Sequence, residues 1–276
     1  FVAPVDIQRP RSILGDRLLA DAYRSIWDGA DFELRYPIAN SDRTVGAALS
    51  GALALEFGPT PPPGTAMVRF DGSAGQSFGA FLGHGIEFEL VGEANDYVGK
   101  AMAGGRIVIR APAGDAGEPV LMGNTAMYGA TGGSLFCAGR AGERFAVRNS
   151  GAVAVVEGAG DHACEYMTGG AVVILGPVGR NLAAGMSGGE AYVWDPAGEV
   201  ERVVNPQLVE VLRPTGGQLP SLRRLLERHH RSTGSVRARS LLAEWEPRSE
   251  EFVRVVARAE VALIEAALEG TGGAGA

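Results

Sequence analysis

Down the middle of this chain a pair of small residues recurs, each time followed by an apolar run: Gly104-Gly105, Gly132-Gly133, Ser150-Gly151, Gly169-Gly170 and Gly188-Gly189. The last four pairs stand 18, 19 and 19 residues apart. A fixed short period marks a stacked architecture, because one unit cannot bury its apolar face alone and must lie on its neighbours. Two places beyond the second small residue stand Ile107, Leu135, Val153, Val172 and Ala191, and four places beyond stand Ile109, Cys137, Val155, Ile174 and Val193. Residues two apart on a strand share a face, so these columns predict one strand per repeat with a face turned inward. Small residues lead into each pair at Ala103, Thr131, Asn149, Thr168 and Ser187, as at a tight corner where glycine reaches angles that side chains avoid.

Nineteen residues are too few for a strand and a crossover helix, yet enough for three short strands and three bends. The expectation is therefore an all-β core: a single-stranded right-handed parallel β-helix of about 7–8 coils, a rod of roughly 35 to 40 Å at the spacing of stacked strands. Gly51 before Leu53 and Leu55, Gly64 before Ala66 and Val68, and His84 before Ile86 and Phe88 carry the alternation toward the N-terminus. The surplus between Ala111 and Val120 reads as a surface loop. Around the coil, Asp16 to Asp28 has the spacing of an amphipathic helix ending at Gly29. Ser221 opens a helix closed near Gly234, and Ser235 opens another ending near Pro247. Residues 249 to 268 read as a third helix, with a short strand over its early part, Phe252 to Val256, as the alternative, and the tail from Gly270 reads as disordered. The expected division is a lead-in over 1–45, the coil over 46–203 and a helical extension over 204–276.

Composition narrows the function. There are 41 glycines in 276 residues, 46% hydrophobic residues and a net charge of -7, which argues against a nucleic-acid partner. No apolar stretch approaches a membrane span, and two cysteines, Cys137 and Cys164, suit a reduced, cytoplasmic setting. The missing initiator methionine points to a processed product or a piece of a longer polypeptide. No phosphate loop, CxxC, HExxH or GxSxG motif is present, and each glycine corner leads into a strand rather than a helix N-terminus.

Four constellations remain. Asp161, His162, Cys164 and Glu165 are dense enough for a metal, but Asp161 lies nine places before its anchor glycine, where Asp96 and Asn124 also stand, with Asn181 one place off. Stacked Asp and Asn side chains bonding backbone at a corner explain that column without a metal. Lys100, a single lysine among 24 arginines, reads better as a corner contact than as a catalytic amine. Met102, Met167 and Met186 share one column and read as core filling. Arg223, Arg224, Arg228, Arg231, Arg237 and Arg239, with His229 and His230, form either an anion-binding patch or a solvated helix surface. Gly105, Gly133, Gly151, Gly170 and Gly189, with Asp96, Asn124 and Asp161, are expected to be structural corners; Lys100, His162 and Glu165 are the remaining polar candidates.

Several uninterrupted phrases together resemble a known family: Gly72 to Phe81, Ala94-Asn95-Asp96-Tyr97-Val98-Gly99-Lys100, Gly142 to Gly151, Cys164 to Gly170 and Ala183 to Gly189. So do Tyr36-Pro37-Ile38, Asp42 to Gly46, Gly123-Asn124, Tyr128 to Thr131 and Gly160-Asp161-His162. They are similar to the C-terminal GXGXG domain of the glutamate synthase large subunit, over about residues 14 to 255. The likeness departs near the end, at Val255 to Glu260. The resemblance implies an enzyme in which a glutaminase domain releases ammonia from glutamine and an FMN-containing barrel with an iron-sulfur cluster adds it to 2-oxoglutarate. It implies for this chain a non-catalytic scaffold holding the glutaminase and FMN domains, with FMN and the cluster in those partners and none here, and no catalytic residue assigned. Alternatives are the β-helix subunit of N-methylglutamate synthase or of the formylmethanofuran dehydrogenase and formyltransferase/hydrolase type, or an independent β-helix enzyme. Self-association and the electron donor stay open.

Overall fold

The computed structural model describes residues 12–112, 114 and 117–261. In chain order its elements are α1 (Ile13–Trp27), β1 (Asp31–Ile38), α2 (Ala47–Phe57), β2 (Thr65–Ala74), β3 (Ile86–Ala94), β4 (Ala103–Arg110), β5 (Val120–Met122), β6 (Gly132–Cys137) and β7 (Arg140–Ala141). There follow β8 (Ser150–Val156), β9 (Thr168–Ile174), β10 (Gly188–Trp194), α3 (Val200–Val203), β11 (Val209–Leu212), α4 (Leu219–Thr233), α5 (Val236–Ala243), α6 (Trp245–Ser249) and β12 (Phe252–Ala257).

The strands form one 12-stranded mixed sheet, ordered β1-β2-β3-β4-β6-β8-β9-β10-β12-β11 with β5 and β7 on a side branch. Pairing is parallel from β1 to β10 and antiparallel where β12 joins β10 and β11. The sheet is not closed, and helices pack around it. This α/β arrangement replaces the expected all-β, single-stranded right-handed parallel β-helix. The reason is local: each repeat has one long strand. Its return path contains only a short strand or an isolated bridge, such as Ala141 to Ala159 and Ala159 to Val178, and then a run of turns. In those turns residues with side chains take left-handed angles, among them Tyr97, Thr125, Met127, Arg144, Ala146, Arg148, His162, Cys164 and Tyr166, with φ from +52° to +65°. Each such residue costs about 1–2 kcal/mol, and alternation periods read from sequence carry no signal for it.

The register corrects the repeat. Ile107 pairs with Leu135, Leu135 with Ala154, Ala154 with Val172 and Val172 with Ala191. The inward column therefore passes through Ala154 and Val156, not Val153 and Val155, and Val155 packs on the opposite face. The small pair of this repeat is Gly151-Ala152 rather than Ser150-Gly151. Ser-Gly and Gly-Ala look alike in composition, but a slip of one residue exchanges the two faces of a strand. Gly105, Gly133, Gly170 and Gly189 are left-handed at φ +70°, +83°, +83° and +81°, whereas Gly151 and Ala152 are not.

Another correction concerns Gly51-Leu53-Leu55, which lies inside α2 and not in a strand. Leu49 and Leu53, four apart, are buried, while Leu55 is 92% exposed. Strands β2 and β3 start where Ala66 and Ile86 predicted them, and β1 is a strand within the expected lead-in. Helix α1 is capped by Ser12, whose Oγ accepts from the Gly15 amide at 3.2 Å. Helix α4 stops at left-handed Gly234, and Ser235 caps α5 by accepting from the Ala238 amide at 2.9 Å. Phe252 to Ala257 is a strand, so the expected third helix does not begin at 249; residues 258–261 are helical, and residues 262–268 and the tail from Gly270 lie outside the described residues. The loop between Ala111 and Val120 is described only in part.

The sheet has two unlike halves. In β2 and β3 burial alternates strictly over the first six and five residues, the pattern of a sheet with one solvated face. In β6, β8 and β9 the last three residues are all buried, because α4, α5 and α6 cover the outer face. Phe136, Val155, Val173 and Tyr192 meet Leu222, Leu226, Leu241 and Trp245 there.

Candidate functional site

The polar residues singled out in the sequence gather on the turn-rich return path. Its backbone is satisfied by the adjacent repeats: the amides of Tyr97, Thr125, Arg144 and His162 donate to the carbonyls of Asn124, Glu143, Asp161 and Arg180 at 2.7–2.9 Å. Those of Gly99, Met127, Ala146 and Cys164 donate the other way, to Phe78, Val98, Ala126 and Phe145, at 2.7–2.9 Å. Each repeat is thus sewn to both neighbours, which offsets the left-handed strain.

Asp96, Asn124 and Asp161 form a ladder along one edge of this path. Asp96 Oδ1 accepts from the Asn124 amide at 2.8 Å, Asn124 Oδ1 from the Glu143 amide at 2.8 Å, and Asp161 Oδ1 from the Arg180 amide at 3.1 Å. A second set of glycines, not singled out in the sequence, makes room for it. A Cβ on Gly123, Gly142 or Gly179 would collide with the side-chain oxygen of Asp96, Asn124 or Asp161, respectively. Their signal was present as a glycine directly before the residue that donates to each Asx side chain. Asn181 lies outside this column and is itself left-handed at φ +57°.

The dense cluster separates into three unlike groups. Asp161 Oδ2 accepts from Arg180 Nε at 2.7 Å. His162 Nδ1 lies 2.7 Å from Glu165 Oε1. Cys164 faces the core, where burial pushes its thiol up to about 12. Cys137 is also buried and free, and burial, with the Glu157 charge adding to it, pushes its thiol above the ordinary range. Both thiols are therefore protonated and poor ligands or nucleophiles. Among the described residues, no group of three or more His, Cys, Asp and Glu side chains is placed to hold a metal. Among the described residues Lys100 forms no ion pair with Asp96 or another acid; its Nζ lies 5.5 Å from the Tyr97 ring centre. Met102, Met167 and Met186 are fully buried in the core.

The arginine-rich helices do not form one patch. Arg237 is consumed: Nη1 donates to the carbonyls of Glu157 and Leu175 at 3.0 and 3.1 Å, and Nη2 pairs with Glu118. Arg223 pairs with Glu227 at 3.1 Å, and Arg224 donates to Ser221 Oγ at 2.7 Å. His229 is fully buried, with Nε2 3.6 Å from Glu157 Oε1, too far for a hydrogen bond. Burial lowers its pKa, so the ring is neutral at pH 7. Burial pushes the Glu157 carboxyl up, but its neighbours His229, Ser235 and Arg237 outweigh that and leave it below the usual range. His230 Nδ1 lies 3.0 Å from the Ser235 carbonyl.

Sequence reasoning missed Asn149 as a contact. It is fully buried, its Oδ1 accepts from the Ala152 amide at 3.0 Å, and its Nδ2 donates to the Ala152 carbonyl at 2.9 Å. A polar residue six places after the Glu143 rung, where the adjacent repeats carry Ala130 and Met167, was the available signal.

Comparison with known proteins adds the following. The family model described as the GXGXG motif matches residues 15–258. The chain is 52% identical over 234 residues to the ferredoxin-dependent glutamate synthase of Pyropia yezoensis, covering 83% of this chain and 15% of that protein. It is 44% identical over 257 residues to the glutamate synthase [NADH] of Schizosaccharomyces pombe, covering 91% of this chain and 12% of that protein. It is 44% identical over 248 residues to the glutamate synthase [NADPH] large chain of Azospirillum brasilense, covering 88% and 16%. The chain therefore spans less than a fifth of the length of these curated relatives.

Proposed function

The chain belongs to the GXGXG family, and from that premise we propose that it serves as a non-catalytic structural domain of a glutamate synthase, holding the glutaminase and FMN domains in their arrangement. The single observation that supports this most is that the acidic, imidazole and thiol candidates read from the repeat are already engaged or buried. The ladder of Asp96, Asn124 and Asp161 is committed to backbone amides, His162 to Glu165, and both thiols are buried. An iron-sulfur cluster does not fit this chain, because two buried cysteines cannot supply the thiolate set that a cluster needs. FMN and the cluster then reside in the partner domains, which carry the transfer of the glutamine amide nitrogen to 2-oxoglutarate. Two free buried thiols suit a reducing compartment such as the cytoplasm, and no described helix is long and apolar enough to cross a membrane.

The test is spectroscopic and enzymatic. The purified chain is expected to show no flavin absorbance and no glutaminase turnover, and to bring down glutaminase and FMN domains identified by mass spectrometry. A yellow, reducible sample, or turnover by the isolated chain, would overturn the reading.

A further inference from the structure

The boundary between the two halves of the sheet is a groove of about 560 Å³, bounded by β2, β3 and β4 on one side and the C-terminal half of α4 on the other. On the strand side every charge is matched. Arg69 pairs with Glu33 at 2.8 Å and Glu89 at 3.1 Å, Arg110 with Glu89 at 2.8 Å, and Arg106 with Glu87. The helix side is different. Arg228 and Arg231 are exposed, and neither has a carboxylate partner among the described residues. The acid nearest in sequence, Glu227, is taken by Arg223. Arg228 stands 5.2 Å from the Phe136 ring, a stacking contact that positions its guanidinium and leaves its N–H groups available. Met67 on β2 and Val108 on β4 also line it, on either side of Glu87 and Glu89 of β3.

In a chain with a net charge of -7, a groove that lines four arginines against two glutamates is a local reversal of sign. We propose that it is a docking site for an acidic polypeptide segment of the synthase outside residues 1–276, with carboxylates on Arg228 and Arg231. The proposal rests on the scaffold reading above and gives it a surface. Charge complementarity selects the occupant: guanidinium groups offer forked donors that match carboxylates, and a groove of about 560 Å³ with two unpaired arginines three residues apart suits a polypeptide carrying two carboxylates better than a bare anion.

Because Lys100 is the chain's single lysine, Arg231→Lys keeps the charge and installs one new amine. Zero-length carbodiimide cross-linking of the assembled synthase carrying R231K is expected to join position 231 to an Asp or Glu outside this chain. Cross-links confined to Glu87, Glu89 or Glu227, or none in an intact assembly, would overturn the docking site alone. Absence of any assembly would sink the scaffold reading as well. Arg228→Glu with Arg231→Glu should leave the circular dichroism spectrum unchanged and weaken association about tenfold, with the wild-type contact weakening as salt rises. Unchanged association would overturn the proposal. So would loss of the cross-link on adding inorganic phosphate at millimolar concentration, which would mark a site for a free dianion.

Discussion

The side-chain amide of Asn149 holds both backbone polar groups of Ala152, accepting from its N–H at 3.0 Å and donating to its carbonyl at 2.9 Å. In neighbouring repeats the Ala152 position is a left-handed glycine, Gly133 or Gly170, and on the Gly170 and Gly189 repeats the Asn149 position is Met167 or Met186. Two residues that break the repeat thus compensate for one another.

Asn149→Met is expected to destabilise the chain by about 2–3 kcal/mol, because it removes both bonds and leaves buried groups unpaired. Combining it with Ala152→Gly should recover part of that loss, and urea denaturation of the two single variants and the double variant measures the coupling.

Gly170→Val should cost several kcal/mol, at least about 3, since φ is +83° and a Cβ would collide with the Ala152 carbonyl. His162→Ala should cost no more than about 1 kcal/mol, because its contact with Glu165 lies at a partly exposed turn. Thermal denaturation of the pair separates them, and equal losses would contradict the corner assignment.

Asp96→Asn should be nearly silent, since Asn124 does the same task one rung on, whereas Asp96→Ala should cost about 1 kcal/mol by removing the acceptor for the Asn124 amide. Amide hydrogen exchange at Asn124 reports the bond directly.

Stability should fall as pH drops. The folded pKa of His229 lies below its ordinary value of 6.5, so below that pH the unfolded chain binds the extra proton first. The stabilisation is complete above 6.5 and is lost as pH falls toward the folded value. Glu157, also lowered, adds a second loss below 4.5 with the same sign. His229→Leu should lack the first component, giving a curve flatter by on the order of 1 kcal/mol per pH unit just below pH 6.5 in chemical denaturation.

Cys137 and Cys164 should resist thiol reagents at pH 8 in the folded chain and react only on unfolding, because burial holds both thiols protonated and out of reach. Labelling with and without urea, read by mass spectrometry, checks this.

Much of the chain was legible because its signals are local. Ser12, Gly234 and Ser235 mark helix ends through their own caps, and the alternation at Ala66-Val68 and Ile86-Phe88 marks strands directly. The family was legible as well, through phrases such as Asn95 to Lys100. The α2 segment was misread because Leu53 and Leu55 mimic alternation, while the spacing that matters, Leu49 to Leu53, belongs to a helix.

By itself the sequence determined that short apolar strands recur and stack, where glycine must bend or clear the backbone, and which family the chain joins. Those features follow from residue size and period, which act within a few neighbours. Only the tertiary structure decided that the return paths turn left-handed instead of forming strands, that Ala152 and not Gly151 occupies the corner, and that helices cover one half of the sheet and leave the other open. Each of these depends on hydrogen bonds and packing between residues about twenty or more positions apart, whose free energy outweighs local preference and leaves no period to read.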